Sequence, residues 1–197
     1  MSDENILISE IIDPSCNKKM VNLGPVGPQN MVIVECPSEE ILNSSIINIY
    51  STKEQKIGKN GFILYENINV IVGNCGFIND TSEIYIWKIG YYSVYTSIYH
   101  METCQFSLLK NSNLAAPVST VGSFYGSSQN TNYFIIQLQE NDMISPTPLS
   151  PYGLACKLQM INNTNLSYMP HVTLIGSYMA GNFLPQITAS ITIQSIL

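Results

Sequence analysis

Apolar and polar residues alternate along most of the chain from residue 31 onward. A period of two places successive side chains on opposite faces of an extended strand, so the pattern predicts β-structure. The alternating segments are rich in Ile, Val, Tyr, Thr and Phe, which favour a pleated and half-buried surface. The predicted strands cover residues 46–51, 63–72, 84–87, 91–99, 104–109, 133–138, 155–161, 172–178 and 187–197.

Clusters of Gly, Asn, Asp and Ser separate the strands, at residues 58–61, 79–80, 110–113, 126–130, 140–142 and 162–165. Many short strands with regular turn signals favour a sandwich or a barrel. Only residues 37–42 favour a helix, of one or two turns, with Ser38 as its N-cap. We therefore expect an all-β domain over residues 31–197.

Neither face of the predicted strand at residues 91–99 carries the charged residues that are typical of a solvent-exposed face. One face carries Tyr92, Val94, Thr96 and Ile98, and the other carries Tyr91, Ser93, Tyr95, Ser97 and Tyr99. A strand with one face in water normally carries charges on that face. Tyrosines separated by small serines can stack and hydrogen-bond across a subunit boundary. We therefore expect the Tyr91 to Tyr99 face to be an interface between subunits, and the alternative is a mildly polar exposed face.

The first 30 residues differ from the rest of the chain. They contain an apolar stretch at residues 6–12 and two Gly-Pro-x triplets at residues 24–29. Two triplets are too few for a collagen triple helix, so an extended arm or connector is expected over residues 1–30. The arm residues expected to contact another subunit are Ile6, Ile8, Ile11, Cys16, Pro25 and Pro28.

The chain contains few charged residues, which argues against some classes of binding partner. Only 11% of residues are charged, arginine is absent, and the formal net charge is -6. Binding to nucleic acid requires clustered cations, so it is not expected. No run of 18 apolar residues predicts a membrane helix. The acidic N-terminus lacks the basic region of a secretory signal peptide.

Motifs of catalysis and cofactor binding are missing from the sequence. There is no nucleophile elbow, phosphate-binding loop or dinucleotide fingerprint, and neither His100 nor His171 has metal-site spacing. We expect no enzyme activity and no cofactor or resident metal. A calcium site at residues 140–142 is the alternative to an ordinary turn there.

The five cysteines are widely spaced and form no C-x-x-C pair, which argues against a zinc knuckle or redox motif. Two interpretations stay open. The cysteines are small buried hydrophobes, or some of them form disulfides between subunits, with Cys16 in the arm best placed to do so.

Several of these segments together resemble a known family. Residues 90–95 and 106–111 resemble the Gly-x-Tyr strand and the Leu-x-x-Asn-Gly hairpin of complement globular heads. They resemble still more the C-terminal domains of collagen-like exosporium glycoproteins of spore-forming bacteria. The resemblance continues at residues 118–123, 135–142 and 189–194, and it spans about residues 40 to 197. It departs from the family at Ser112 and Asn141, which stand where the family has glycines, and the long collagen stalk is missing.

The resemblance implies a two-sheet antiparallel jelly roll of about ten strands, of the tumour-necrosis-factor type, that forms a homotrimer. The strand beginning at Gly90 would then lie near the three-fold axis. An extended arm of 30 residues reaches on the order of 90 Å, enough to insert into a neighbouring trimer and build an open filament.

Three functions follow as hypotheses. The first is a structural protein that trimerises and builds an appendage, exosporium or other surface layer of a spore or particle, with itself and other surface-layer proteins as partners. The second is a trimeric head that binds a receptor or glycan. The third is a viral capsid or penton jelly roll.

Overall fold

The computed structural model describes residues 10–12, 19–22, 31–33, 44–124, 128–165, 170–175 and 186–196. The chain divides into two compact units, Met1–Asn43 and Ser44–Leu197. In the first unit, strands β1 (Glu10–Ile12), β2 (Lys19–Asn22) and β3 (Met31–Ile33) pair antiparallel in that order. The chain therefore reverses direction twice between Glu10 and Ile33, which differs from a single extended arm. The sequence pattern placed a boundary between residues 30 and 31, whereas β3 pairs within the first unit.

One sheet of the second unit, which we call the front sheet, contains five antiparallel strands in the order β13-β9-β17-β4-β6. Its members are separated widely along the chain, as Greek-key connections require. They are β4 (Ile46–Ser51), β6 (Asn67–Val72), β9 (Gly90–Tyr99), β13 (Gln129–Leu138) and β17 (Ala189–Ser195).

The other main sheet, the back sheet, has the order β11-β10-β15-β8-β7, with β12 also paired to β10 and β14 to β15. A separate two-stranded sheet pairs β5 with β16. These strands are β5 (Gln55–Ile57), β7 (Cys75–Phe77), β8 (Ile84–Ile86), β10 (Cys104–Lys110), β11 (Asn113–Leu114), β12 (Thr120–Ser123), β14 (Ser145–Pro146), β15 (Leu154–Asn162) and β16 (Val172–Leu174).

The core lies between the inward faces of the two sheets. Along β13, for example, Phe134, Ile136 and Leu138 are buried while the residues between them are exposed. Each fully buried side chain of this size contributes about 1.5–3 kcal/mol to folding. The largest fully buried side chains include Tyr65, Tyr92, Phe106 and Leu108. This all-β, two-sheet architecture confirms the jelly-roll expectation.

The turns match the sequence pattern closely at the β10–β11 hairpin. Lys110 pairs with Asn113, and the two loop residues between them both have positive φ, 48° at Asn111 and 72° at Ser112. Positive φ at both central positions defines a type I′ turn, which usually carries Asn-Gly. Ser112 thus adopts the conformation that glycine most often takes in such a turn.

Other expectations differ in detail from the structure. The strand expected from residue 63 begins only at Asn67, after isolated bridges at Phe62 and Tyr65. Asn141 lies in a 3-10 helix (Glu140–Asp142) without positive φ, so its position does not need a glycine. The helix expected at residues 37–42 lies outside the described residues. Within the described residues, no helix is long and apolar enough to cross a membrane.

Candidate self-association surface

Strand β9 places its tyrosine-serine face on the outside of the front sheet. Tyr91 and Tyr95 are 49% and 46% exposed, while Ser93 and Tyr99 are half-buried. Ser97 is covered, and its hydroxyl accepts a hydrogen bond from the Gln129 side chain at 3.1 Å. The exposed part of this face therefore lies toward the Gly90 end of the strand, and its role as a subunit interface stays a prediction.

The neighbouring strand β13 adds two large side chains that the sequence analysis did not single out. Tyr133 lies opposite Tyr95 and is 64% exposed, and Ile135 lies opposite Ser93 and is 50% exposed. Directly opposite residues on an antiparallel pair have Cβ atoms roughly 5 Å apart. Tyr91, Tyr95, Tyr133 and Ile135 therefore form one continuous exposed cluster, which we call the tyrosine patch.

Beyond the tyrosine patch, the outward face continues over β17 and β4 with neutral hydrogen-bonding groups. Thr192 lies opposite Tyr95 on one side and Asn48 on the other. The Asn48 Nδ2 atom donates to Thr192 Oγ1 at 2.7 Å, and Ser93 Oγ donates to the Gln194 carbonyl at 3.4 Å. These contacts hold the polar side chains flat along the sheet, so that the face presents a defined surface.

None of the residues in the five strands of the front sheet is charged. Burying an unpaired charge costs several kcal/mol, so a charge-free face loses little when another protein covers it. The exposed side chains of the tyrosine patch together present an area on the order of 400 Å². The largest apolar patch of a soluble monomer typically covers about 300–600 Å² and is often functional, so the tyrosine patch is a candidate interaction site.

The ion pairs of the second unit lie elsewhere. Lys110 Nζ and Asp142 Oδ2 are 2.9 Å apart, and Lys157 Nζ and Glu83 Oε1 are 3.2 Å apart. The Tyr85 hydroxyl also donates to Glu83 at 2.7 Å, and this hydrogen bond, followed by those with Lys157, lowers the pKa of Glu83. Burial and the bond to Glu83 raise the pKa of Tyr85 to about 12. These two ion pairs therefore link strands β10 and β15 of the back sheet to neighbouring residues, and none of their members lies in a strand of the front sheet.

Residues 140–142, the alternative calcium site, form the hydrogen bonds of an ordinary turn. Asp142 Oδ2 accepts hydrogen bonds from Lys110 Nζ and from the Gln139 backbone N–H, the latter at 2.8 Å. Asp142 Oδ2 therefore already accepts hydrogen bonds from two protein donors. No cluster of His, Cys, Asp and Glu suited to a metal ion occurs among the described residues.

The cysteines of the second unit are buried free thiols. Cys75, Cys104 and Cys156 all lie in the core or beside it. Burial raises their pKa values, to about 11 for Cys75 and Cys104 and about 12 for Cys156. A thiol with a raised pKa is a poor nucleophile, so these three behave as small buried hydrophobes. Cys16 and Cys36 lie outside the described residues.

The predicted arm residues are only partly described. Ile11 lies in β1, where its backbone pairs with Met20. Ile6, Ile8, Cys16, Pro25 and Pro28 lie outside the described residues, so the arm's contact with a second subunit stays a prediction.

Comparison with known proteins supports the fold and goes no further. No protein-family model and no curated protein matches the sequence. Among solved structures, the globular domain of zebrafish complement 1qA protein aligns with a TM-score of 0.51 at 10% identity, over 78% of this chain and 98% of that one. This likeness confirms that the chain shares the jelly-roll fold of complement globular heads.

Two other solved structures are less similar. Eiger, a tumour necrosis factor from S. frugiperda, aligns with a TM-score of 0.47 at 10% identity, over 79% of this chain and 92% of that one. The PRD1 vertex protein P5 aligns with a TM-score of 0.43 at 11% identity, over 80% of this chain and 99% of that one.

Proposed function

We propose that this protein is a structural module that forms a homotrimer through the outward face of the front sheet. The observation that carries the proposal is the combination of a charge-free five-stranded sheet with the exposed tyrosine patch. A lone subunit would leave this neutral face in water, whereas a trimer covers it at little desolvation cost.

We infer three copies from the resemblance to complement globular heads, whose fold this unit shares. A heterologous contact repeated by a rotation of 120° closes into a ring of three. In that arrangement, the patch on one subunit packs against the edge or face of the next, and the three copies of β9 lie near the axis. Each subunit interface then needs to bury roughly 800 Å² per partner to be stable.

We further propose that the trimers belong to a surface appendage or layer of a spore or particle, and that residues 1–30 link one trimer to the next. The resemblance to exosporium glycoproteins supports the location. Two observations support a linking role for residues 1–30. Their composition differs from that of the rest of the chain, and they belong to a separate compact unit.

Light scattering coupled to size-exclusion chromatography tests the trimer directly. One chain has a mass of 21.9 kDa, so the proposal predicts a particle of three times that mass or an assembly built from it. A monomer at micromolar concentration would refute it, and a pentamer would favour the hypothesis of a viral capsid or penton jelly roll.

Deletion of residues 1–20 tests the linking role. Negative-stain microscopy of the intact chain is expected to show filaments or lattices, and the deletion variant is expected to show separate trimers. Filaments that persist after the deletion would show that these residues do not link trimers, without bearing on the trimer itself.

A further inference from the structure

A groove opens at one end of the second unit, at the join between β10 and β12. It has a volume of about 480 Å³, and its walls include Thr103, Gln105, Ser123, Phe124 and Thr164. Cys104 pairs with Ser123 at this end of the sheet, where β9 has ended and β13 begins. The first and last described residues of the unit, Ser44 and Ile196, lie at the opposite end, since Ser195 bonds to Ser45 and Ile196 to Tyr91.

The polar groups of the groove are held in fixed orientations. His100 Nδ1 lies 2.8 Å from the Glu102 carbonyl, which can only accept, so Nδ1 carries the proton and Nε2 is an acceptor. Ser123 Oγ, 3.2 Å away, therefore donates to Nε2. It can accept from the Cys104 thiol at 3.9 Å, and its second lone pair can accept from a ligand. On the facing wall, Thr164 Oγ1 accepts from the Gln105 backbone N–H at 2.8 Å.

Other polar groups of the groove remain available for a ligand. Neither the Thr103 hydroxyl nor the Gln105 side-chain amide makes a hydrogen bond to another described residue, and Gln105 is exposed. An amide supplies both donors and an acceptor, and a hydroxyl supplies one donor and two lone pairs. The groove can therefore pair with a ligand that presents several hydroxyl groups.

Phe124 supplies the apolar surface of the groove. It is 79% exposed, the highest value among the large hydrophobic side chains described. Its ring stands beside hydroxyl and amide groups, whereas the exposed residues of the front sheet form an extended flat face. An exposed aromatic ring beside fixed polar groups suits a ligand with one apolar face and a polar edge.

The groove carries no charge, which limits the class of ligand. Among the described residues, its lining contains no Lys, Asp or Glu. The nearby Glu102 carboxylate is bonded instead to Thr173, at 2.7 Å and 2.9 Å. An anionic ligand such as a phosphate would find no cation here. Pyranose sugars have the required shape, since their C–H groups form an apolar face and their hydroxyls lie around the edge.

We propose that this groove binds a neutral sugar unit, with the ring stacked on Phe124 and its hydroxyls bonded by Gln105, Ser123 and Thr103. All these residues belong to one subunit, so the site is independent of the proposed trimer. Its place at the end opposite Ser44 suits display of the groove away from the point where the chain enters the unit.

The test uses the full chain and a panel of neutral hexoses, N-acetylhexosamines and their disaccharides, with glucuronic acid as the charged comparison. Saturation-transfer NMR and calorimetric titration are expected to detect millimolar or tighter binding of at least one neutral sugar. Phe124→Ala is expected to weaken binding about two- to tenfold, the size of an aromatic stacking contribution. Phe124→Trp is expected to retain it, and Gln105→Ala to weaken it less.

Tyr152→Ala is the matched control, because Tyr152 is also highly exposed, at 75%, but lies beside β15 at the other end of the unit. It is expected to leave sugar binding unchanged. Absence of binding across the neutral panel would overturn the proposal. So would tighter binding of glucuronic acid, or equal losses in the Phe124→Ala and Tyr152→Ala variants.

Discussion

Tyr95 and Tyr133 lie directly opposite each other on neighbouring antiparallel strands, and both side chains face away from the core. Their inward neighbours Val94 and Phe134 are likewise paired, and these are buried. The same two strands therefore build the core on one face and an exposed aromatic pair on the other. A charge placed on this pair tests the proposed trimer without touching the core.

Tyr95→Lys is expected to convert the trimer to a monomer. An ammonium group at the centre of a closed interface would lose its hydration without gaining a partner, since the front sheet carries no carboxylate. The change is measured as a threefold drop in mass by light scattering. Tyr152→Lys is the control, and circular dichroism should show that both variants stay folded. A Tyr95→Lys variant that remains trimeric would place the interface elsewhere.

Ser112→Gly is expected to raise the free energy of unfolding by about 0.5–1 kcal/mol. Ser112 has a φ of 72°, a conformation that is unfavourable for a residue with a Cβ atom and neutral for glycine. In a domain of this size, 1 kcal/mol corresponds to about 2–4 °C in Tm. Thermal unfolding followed by circular dichroism measures the shift.

Asn111→Gly, at the other residue of the same turn, is expected to have the opposite effect on stability from Ser112→Gly. Asn111 also has positive φ, but its side chain donates to the Asp142 carbonyl at 2.7 Å and accepts from Ser145 and the Lys157 backbone. We expect this variant to be destabilised, because three hydrogen bonds are lost. If both glycine variants were stabilised equally, the side-chain bonds of Asn111 would contribute little.

Thr96→Val is expected to stabilise the protein by about 1–2 kcal/mol. The Thr96 side chain is almost completely buried, and its hydroxyl has no hydrogen-bond partner among the described residues. An unpaired buried hydroxyl costs about 1–3 kcal/mol, and valine has nearly the same shape without it. Thr173→Val is the control, because Thr173 is also buried but its hydroxyl bonds to Glu102 at 2.9 Å. Urea unfolding should show opposite signs for the two variants.

His100 is expected to make stability fall as the pH drops below about 6.5, the pKa of an unperturbed histidine. Burial lowers the pKa of His100 in the folded state, so the unfolded chain binds the proton more readily. The contribution of His100 to the free energy of unfolding is therefore complete above about pH 6.5 and is lost progressively below it. Glu83, whose pKa is lowered from 4.5, acts only in a more acidic range.

Urea unfolding of the His100→Gln variant at pH 7.5 and pH 5.5 measures this effect. The variant is expected to be less stable overall, because it loses contacts with Glu102 and Ser123. The difference in its free energy of unfolding between the two pH values is expected to be smaller than in the parent.

The thiols of Cys75, Cys104 and Cys156 are expected to be unreactive in the folded protein at pH 8. Burial blocks access and raises their pKa values to about 11 or 12, so few thiolates form. The experiment uses a Cys16→Ser, Cys36→Ser variant and a chromogenic disulfide reagent. No thiol should react within minutes under native conditions, and all three should react in guanidinium chloride. Rapid native labelling would contradict the burial of these residues.

The local structure of this protein could be predicted well from sequence. The strand expected at residues 46–51 coincides with β4, and the one at residues 91–99 with all but the first residue of β9. Alternation of side chains every two residues is a local property, and so is the conformation demanded by a two-residue turn such as Asn111-Ser112. The sequence by itself therefore determined the strand class and most strand positions.

Strand pairing and the choice of exposed face depend on contacts between distant residues. Along β13, Tyr133 and Ile135 alternate with Phe134 and Ile136, so both faces look apolar and the pattern cannot say which one meets the core. Pairing with β9, some 40 residues away, turns Tyr133 outward beside Tyr95. The groove at Ser123 and Phe124 likewise exists only because β10 and β12 pair there. Only the tertiary structure decided these placements, because burial is a property of the assembled sheets and not of the local sequence.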